Sequence, residues 1–591
     1  MHRIPGDHDL EREKEKPMKK LSKEKWLLLL IVAVSLITMI IYGSQKEGYH
    51  LDEIYSYGLA NSEYLPFMHF GESGYDVKDW MLEYGAGESF RDIVTNLIKD
   101  FQILKECGFD IYSSEIYQDY LIAQANSADT FTTTWVSGQD YRDYLAVSES
   151  NTFNYASVYY NQRGDVHPPL YYILLHTVCS VFQGTFSKWY GLTINFVVLT
   201  GTLLLLYRMV DRHLGGSRVA LAVTAAYGLS NGFMTSAMYL RMYALLTLMT
   251  VLYCYVHLEL AVDDFQIKGK KRLMLVAATL GGFLTHYYFV LYAIGVAFVY
   301  VIWMVSRKKW RAVLKYIITL ACTAAAGLCI WPFALKHVFL GYRGQASLDT
   351  ITSGLFYLSK TKLIMDHIIW QLMGGHWWLL LVGFVLLAVV FIRQKGKNVP
   401  VAKGLLLVLP VVLYVLLVSQ IVPFLVERYV MCTFPFWCLF VVAAVTFAVG
   451  KSVKKPWKRW VPFLTGGLLV LFGNCYSNPP DYLFPGGQET VVVPDNTDCV
   501  YVLPNDSWNE SAGDSSILAQ CDNVAVVYHA QLDCLKDDYE YASGDVLMVS
   551  IQKDMDIEGV LADVKKVLEV EELKESTRLY GATAVSILLT E

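Results

Sequence analysis

Five short polar stretches interrupt an otherwise apolar chain, and their residue types suit one kind of chemistry. Asp52 and Glu53 lie in Gly48-Tyr49-His50-Leu51-Asp52-Glu53-Ile54-Tyr55, just after the first apolar run. His167 opens His167-Pro168-Pro169, Arg241 sits in Tyr239-Leu240-Arg241-Met242-Tyr243, His286 in Thr285-His286-Tyr287-Tyr288, and Glu427-Arg428 precedes Tyr429. Arginine offers a planar fork of donors that matches phosphate oxygens and keeps its charge at membrane depth. A carboxylate can take the proton of an attacking hydroxyl. A lipid phosphate is already a weakly basic leaving group, so a single displacement from it needs one base, one phosphate clamp and a dry site.

Each residue also has an ordinary explanation. Acids in a loop usually need none. Arg241 or Arg428 can snorkel to headgroups, and His167 before two prolines can mark a helix start. His286 among aromatics can be a satisfied core histidine, and Glu427-Arg428 a local ion pair. The argument for a site is that all of them fall together.

That convergence depends on the elements around them. The chain has 591 residues, 54% of them hydrophobic and 14% aromatic, with a mean hydropathy of +0.34. Such values exclude a soluble globular or a disordered protein and describe a polytopic membrane protein. A net charge of −6 suggests no polyanionic partner, and nucleic acid in particular is not expected. The run Trp26–Tyr42 is close to the length that crosses a bilayer. It follows a charged tail, residues 1–25, with no small-residue cleavage site after it, and so reads as a retained signal anchor.

Basic clusters at Lys14–Lys25, Arg208–Arg218, Lys268–Arg272, Arg307–Arg311, Arg393–Lys403 and Lys451–Arg459 punctuate the apolar runs. The positive-inside rule puts all of them in the cytoplasm. Helix pairs then fit between them: Val219–Ala237 with Leu240–Ala261, Leu273–Thr285 with Tyr287–Val305, Ala312–Leu335 with His376–Ile392, and Leu405–Gln420 with Tyr429–Gly450. Trp189–Tyr207 crosses once, Leu170–Phe182 lies in or dips into the outer leaflet, and Trp460–Cys475 crosses last. The expectation is an all-α bundle of roughly eleven crossings, with the N-terminus cytoplasmic. None of the polar stretches was used to set this topology, yet all fall on its external face.

Residues 26–475 form the expected membrane domain, including a large external loop, 44–167. Within that loop Ser89-x-x-Asp92 and the spacing of Ile93, Val94, Leu97, Ile98, Phe101 and Leu104 read as an amphipathic helix, on the membrane surface or on its own loop. Residues 476–591 change character. Cys499–Leu503, Val524–Tyr528, Val546–Ile551 and Ala582–Leu589 read as strands and Met555–Leu568 as a helix, together a small external α/β domain. Of eleven cysteines, most lie in apolar runs as small hydrophobes. Cys499, Cys521 and Cys534 cluster in the polar tail, where an external disulfide would be permitted but not required.

The polar stretches, taken in order, resemble the GT-C glycosyltransferase superfamily. The similar branch is the bacterial one of family 39, related to protein O-mannosyltransferases and to the aminoarabinose transferase of lipid A. Tyr49-His50-Leu51-Asp52-Glu53, His167-Pro168-Pro169-Leu170-Tyr171-Tyr172, Arg241-Met242-Tyr243-Ala244-Leu245-Leu246, Thr285-His286-Tyr287-Tyr288-Phe289 and Glu427-Arg428-Tyr429 carry the likeness. It covers about Trp26 to Cys475 and leaves the C-terminal region outside. The resemblance implies a polyprenyl-phosphate sugar donor in the plasma membrane, an acceptor hydroxyl on glycan, lipid or protein, and inversion at the anomeric carbon. It carries the base onto Asp52, with Glu53 beside it as a positioning or metal-binding acid. Arg241 and Arg428 are placed at the donor phosphate by charge and face, and His167, His286 and Tyr243 in the substrate site. Relatives differ in metal use, so Glu53, His167 and His286 are the residues that would carry a divalent ion. The alternative is a transporter or flippase of lipid-linked sugars. Transporters tend to show internal repeats and mid-membrane polar groups, and neither is visible here.

Overall fold

The computed structural model describes residues 22–68, 135–339, 357–393, 401–422, 426–449, 455–475, 479–484, 492–505, 511–536 and 545–591, with isolated positions between. The amphipathic helix expected after Ser89 falls outside them. The elements run in chain order from α1 (Lys23–Gln45) and α2 (Leu51–Asn61) to β1 (Trp135–Ser137), α3 (Gly138–Leu145), α4 (Tyr155–Gly164), α5 (Leu170–Val181) and α6 (Lys188–Val210). Next come α7 (Ser217–Gly228), α8 (Asn231–Met238), α9 (Tyr243–Val262), α10 (Gly269–Phe283), α11 (Tyr288–Ser306), α12 (Trp310–Ile330) and α13 (Phe333–Phe339). Then follow α14 (Leu358–Met373), α15 (Trp377–Arg393), α16 (Val401–Ile421), a 3-10 turn (Glu427–Thr433) leading into α17 (Phe434–Val449), and α18 (Val461–Cys475). The remainder is β2 (Thr497–Leu503), β3 (Asn523–Tyr528), β4 (Val546–Gln552), α19 (Ile557–Val567), β5 (Lys574–Tyr580) and β6 (Ala584–Thr590).

The chain is a polytopic helical membrane protein with a small sheet region. Among the described residues seven helices are long and apolar enough to cross a bilayer, and α14 with α15 makes an eighth if that pair, bent by 93°, counts as one span. Roughly eleven were expected; of the three not counted, Val219–Ala237 is broken, while Leu273–Thr285 and Trp460–Cys475 correspond to α10 and α18, unbroken helices of 15 residues each that fall short of a full span. The expected helix Val219–Ala237 stops at Gly228 because Ser230 caps a new helix, its Oγ accepting from Phe233 N at 3.2 Å. Helix α5, of 12 residues, spans about 18 Å at 1.5 Å per residue and is too short to cross alone, as expected for a run that was not among the eleven. Helix α14 was not foreseen.

The sheet is mixed, in the order β1-β3-β2-β4-β6-β5. β2 pairs in parallel with β3 and β4, while β1, β5 and β6 join antiparallel. Period-two alternation gives it two faces. Cys499, Tyr501 and Leu503 belong to the same apolar core as the helical bundle. Val500 and Val502 pack on the other side with Val560, Leu561 and Val564 of α19. β1 comes from the long loop, and Trp135 stacks on Tyr539 with centroids 5.4 Å apart. The sheet is therefore fused to the bundle through a shared core. No described cysteine forms a disulfide; Cys499 and Cys521 are buried thiols and Cys534 is exposed.

Close packing positions α2, which carries the acids. A Cβ at Gly58 would sit 1.9 Å from the Tyr144 ring, and Tyr144 is itself buried with its hydroxyl on Pro66 O at 3.2 Å. Gly58→Ala should therefore destabilise the protein by about 1–3 kcal/mol, the usual cost of overpacking. Thermal unfolding in detergent should show a lowered midpoint, whereas Gly201→Ala, where the added carbon meets nothing closer than 4.0 Å, should leave it unmoved.

Candidate functional site

The site begins with the way α2 starts. His50 is its N-cap, its Nδ1 accepting from Asp52 N at 3.1 Å, while Glu53 Oε2 accepts from His50 N at 2.8 Å. This is a capping box, and it places both acids in the first turn, where the helix dipole favours negative charge. The two side chains then diverge.

Glu53 is fully buried and saturated. Lys46 Nζ donates to it at 3.1 Å, and Leu240 N donates to Oε1 at 2.8 Å. Lys46 is equally buried and also donates to Tyr482 O at 2.6 Å. Burial pushes the Lys46 ammonium below its ordinary value, and the Glu53 charge opposes that shift. Glu53, with Lys46, thus fastens three segments together: the end of α1, the turn before α9 and the turn at Tyr482.

Asp52 turns the other way, into a cationic clamp. Its Oδ2 lies 2.7 Å from Arg428 Nη2 and accepts from the Tyr239 hydroxyl at 2.9 Å, and its Oδ1 lies 3.3 Å from Arg241 Nη1. Arg241 Nη1 also donates to Asp52 O at 2.8 Å. Burial alone would raise the Asp52 carboxyl. Arg241 and Arg428, supported by His50 and the Tyr239 hydroxyl, outweigh it and hold the group well below the usual carboxylate range.

His167 joins through Arg241. Its Nδ1 lies 2.9 Å from Asp165 Oδ2, and since a carboxylate only accepts, Nδ1 carries the hydrogen. Arg241 Nη2, 3.4 Å from the same nitrogen, is then a packing contact, and Arg241 also reaches the Tyr172 hydroxyl at 3.4 Å. Burial raises the Asp165 carboxyl, but His167, with Arg241 and the Val166 amide, more than reverses this. The His286 ring stands 5.6 Å from both His167 and Tyr243. Tyr243 stacks on Tyr239 at 5.6 Å and leads to Tyr429 at 6.2 Å. His286 Nδ1 accepts from Tyr288 N at 3.1 Å, which leaves its hydrogen on Nε2.

The structure therefore brings Asp52, Arg241 and Arg428 into direct contact, with His167, Tyr243 and His286 in the adjoining aromatic wall. Glu53 is turned away from that wall. Both its oxygens already face donors, and among the described residues no three His, Cys, Asp or Glu side chains are grouped to hold a metal ion.

Sequence reasoning missed several members. Lys46 lies just past the expected span Trp26–Tyr42, and Tyr239 is one tyrosine among forty. The His50-x-x-Glu53 spacing was the available signal that Glu53 serves a helix start. Tyr482 had no signal. Its backbone is in the left-handed region at φ 63°, unfavourable for a bulky residue, yet its ring stacks on Tyr239 at 3.9 Å and 19° and meets His50 edge-on at 5.7 Å.

Beside Tyr482, Asp481 accepts from Gln371 Nε2 at 2.7 Å. Partial burial, then the nearby Glu427 charge, raise its carboxyl to about 6 from 3.8. Folding thus favours its protonated form. The resulting stability is present below about pH 4, is lost as pH rises to about 6, and stays lost above. Asp481→Asn keeps the acceptor but removes the titration. The variant's melting temperature should gain on the wild type between pH 4 and 6.5; a constant difference would show that Asp481 does not titrate in that range.

No protein-family model matches the chain, and none of the curated proteins matches it. Among solved structures it is similar to the crystal structure of ArnT from Cupriavidus metallidurans bound to undecaprenyl phosphate. The likeness has a TM-score of 0.43 and 12% sequence identity, over 71% of this chain and 87% of that one. It is a likeness of chain path, and the functional reading stands on the site.

Proposed function

We propose that the chain is a membrane glycosyltransferase that moves a sugar from a polyprenyl-phosphate donor, undecaprenyl phosphate as carrier, to an acceptor hydroxyl on the external face. The observation that supports this reading is Asp52 held between Arg241 and Arg428 at one end of a bundle of apolar helices. Arg241 and Arg428 carry more hydrogen-bond donors than one aspartate can accept from, which leaves room for a second anion. A donor phosphate has the oxygens that fit both guanidinium forks.

Donor binding then changes what Asp52 can do. As the resting counter-ion of two arginines it is a weak base. Phosphate oxygens compete for Arg241 and Arg428, and the carboxylate gains an anionic neighbour in place of two cations. Its proton affinity rises in the complex that needs a base. The acceptor hydroxyl gives its proton to Asp52 while its oxygen bonds to the anomeric carbon. The bond from that carbon to the phosphate oxygen breaks, and its electron pair leaves on a phosphate still held by the arginines. Attack opposite the leaving group inverts the centre. Tyr239 keeps Asp52 oriented, and Tyr243, His286 and His167 wall the sugar.

Asp52→Asn keeps size but cannot take the proton. It should lower turnover by about 10²–10⁴, read as polyprenyl phosphate released from purified protein, while donor binding holds or tightens because the arginines lose a competing carboxylate. Arg241→Gln or Arg428→Gln should raise the donor KM roughly 10- to 150-fold, from about 1.5–3 kcal/mol per charged hydrogen bond. Removing Arg428 also frees Asp52 to hold a proton, so the acidic limb of the pH–rate profile should move to higher pH. Lysine at 428 should reverse part of that movement. If wild type moves intact lipid between leaflets and never forms a glycosidic product, the transporter reading replaces this one.

The sidedness is part of the proposal. In a Cys534→Ser background, a cysteine at exposed Asp533 should react with impermeant thiol reagents from outside, and one at Lys270 only after the cell is opened. Reaction at Lys270 from outside would separate the site from the external face.

A further inference from the structure

A second polar site lies at the far end of the bundle. Glu427 to Val449 forms one apolar span, and Thr446 is 18 residues beyond Arg428. At 1.5 Å per residue that is roughly 27 Å, close to the hydrocarbon thickness. There a cavity of about 560 Å³ is lined by Gly215, Arg218, Val219, Thr446, Lys458, Arg459 and Pro462. It sits where the start of α7, the end of α17 and the approach to α18 meet. Among the described residues its lining carries three cations and no acid; Glu24, at the start of α1, is within electrostatic range of Arg218 but is not among them.

Thr446 supplies an independent observation. Threonines inside helices usually turn their hydroxyl to the carbonyl four residues back, and here Thr202, Thr224, Thr319 and Thr465 do so. Thr446 does not: its Oγ1 is buried with no hydrogen-bond partner among the described residues. A buried hydroxyl left unmatched costs about 1–3 kcal/mol; Thr446 borders the cavity, and a ligand oxygen would relieve that cost once the side chain rotates about χ1 toward it. Helix α7 adds donors, because its N-cap is Gly216 and no side chain caps its first turn.

The surroundings specify the ligand class. Trp457 and Trp460 are exposed at the rim, Arg459 lies over the Trp460 ring at 5.6 Å, and Leu464 and Leu468 of α18 continue outward as exposed apolar surface. Tryptophan beside cations, above an apolar stripe, is the pattern of a membrane interface. We infer that this cavity binds the phosphate headgroup of an anionic glycerophospholipid, with Arg218, Lys458 and Arg459 on the phosphate and Thr446 donating to one of its oxygens. Basic pockets between helices at this level suit such headgroups. The site is independent of the chemistry at Asp52.

The test is competitive lipid retention by the full-length protein. Purified protein equilibrated with equal phosphatidylglycerol and phosphatidylcholine is examined by native mass spectrometry, and monodispersity is checked for every variant. Wild type should retain phosphatidylglycerol at least about tenfold over phosphatidylcholine. Arg218→Gln with Arg459→Gln should bring that ratio to within about twofold; if the pair does not fold, Arg459→Gln alone, in the exposed turn, should lower it. Thr446→Val, which removes only the hydroxyl, should lower it roughly two- to tenfold, the loss of one hydrogen bond. Lys270→Gln with Arg272→Gln removes two exposed cations from the start of α10 and should change nothing. Equal retention of the two lipids in wild type overturns the site. So does an unaffected Thr446→Val, or a control pair as damaging as the cavity pair. Displacement of the lipid by inorganic phosphate would make it a free-anion site and overturn the lipid assignment.

Discussion

The buried charge on Glu53 constrains everything around it. A carboxylate taken wholly out of water is tolerated only when its lone pairs are filled with good geometry. Its donors here come from Lys46, His50 N and Leu240 N, so residues distant in sequence must meet at one point for the charge to be satisfied. Once they do, the first turn of α2 cannot rotate, and Asp52, one residue earlier, points into the Arg241–Arg428 clamp. One acid bears the structural duty and leaves its neighbour facing the two arginines.

Much of this was legible. The apolar runs marked the spans, and the charge pattern put Asp52, Arg241, His167, His286 and Arg428 at one end before any geometry was known. The strands at 499–503, 524–528 and 546–551 were visible as β-branched alternations, and each extends by at most two residues in the structure. What hydropathy could not show was direction. Asp52 and Glu53 are chemically alike and adjacent, and only the capping box and the Lys46 ammonium send them to opposite faces. The helix break at Leu229–Ser230 sits inside a run read as one helix, whereas Gly374-Gly375 marked the other break, just before the expected start at His376. β1 and β5 were hidden for a different reason: β1 has three residues, and β5, Lys-Glu-Ser-Thr-Arg-Leu-Tyr, is an exposed edge strand whose polar residues guard it from further pairing.

The sheet's inner face ties the C-terminal region to the site. Gly513 packs so closely on Leu51 that a Cβ there would lie 2.4 Å from its Cδ1, next to Asp52 in sequence. The neighbouring Asp514 is buried, and burial raises its carboxyl even though the Tyr501 and Thr583 hydroxyls and two backbone amides donate to it. A turn so heavily hydrogen-bonded makes a stiff support for the start of α2.

That arrangement has a bearing on how the molecule is made. Helices enter a bilayer one after another as the ribosome delivers them, and α2 emerges early. Its partners at 240, 428, 482 and 513 arrive later, the last of them after the final apolar helix has left the ribosome. Until then Glu53 has no Leu240 amide, Asp52 no Arg428, and Tyr239 no Tyr482 ring to stack on. A chain synthesised only through α18 would thus hold all of its described apolar helices without the Tyr482 ring or the Gly513 turn that brace the start of α2, so the site would be finished by completion of translation and not by insertion.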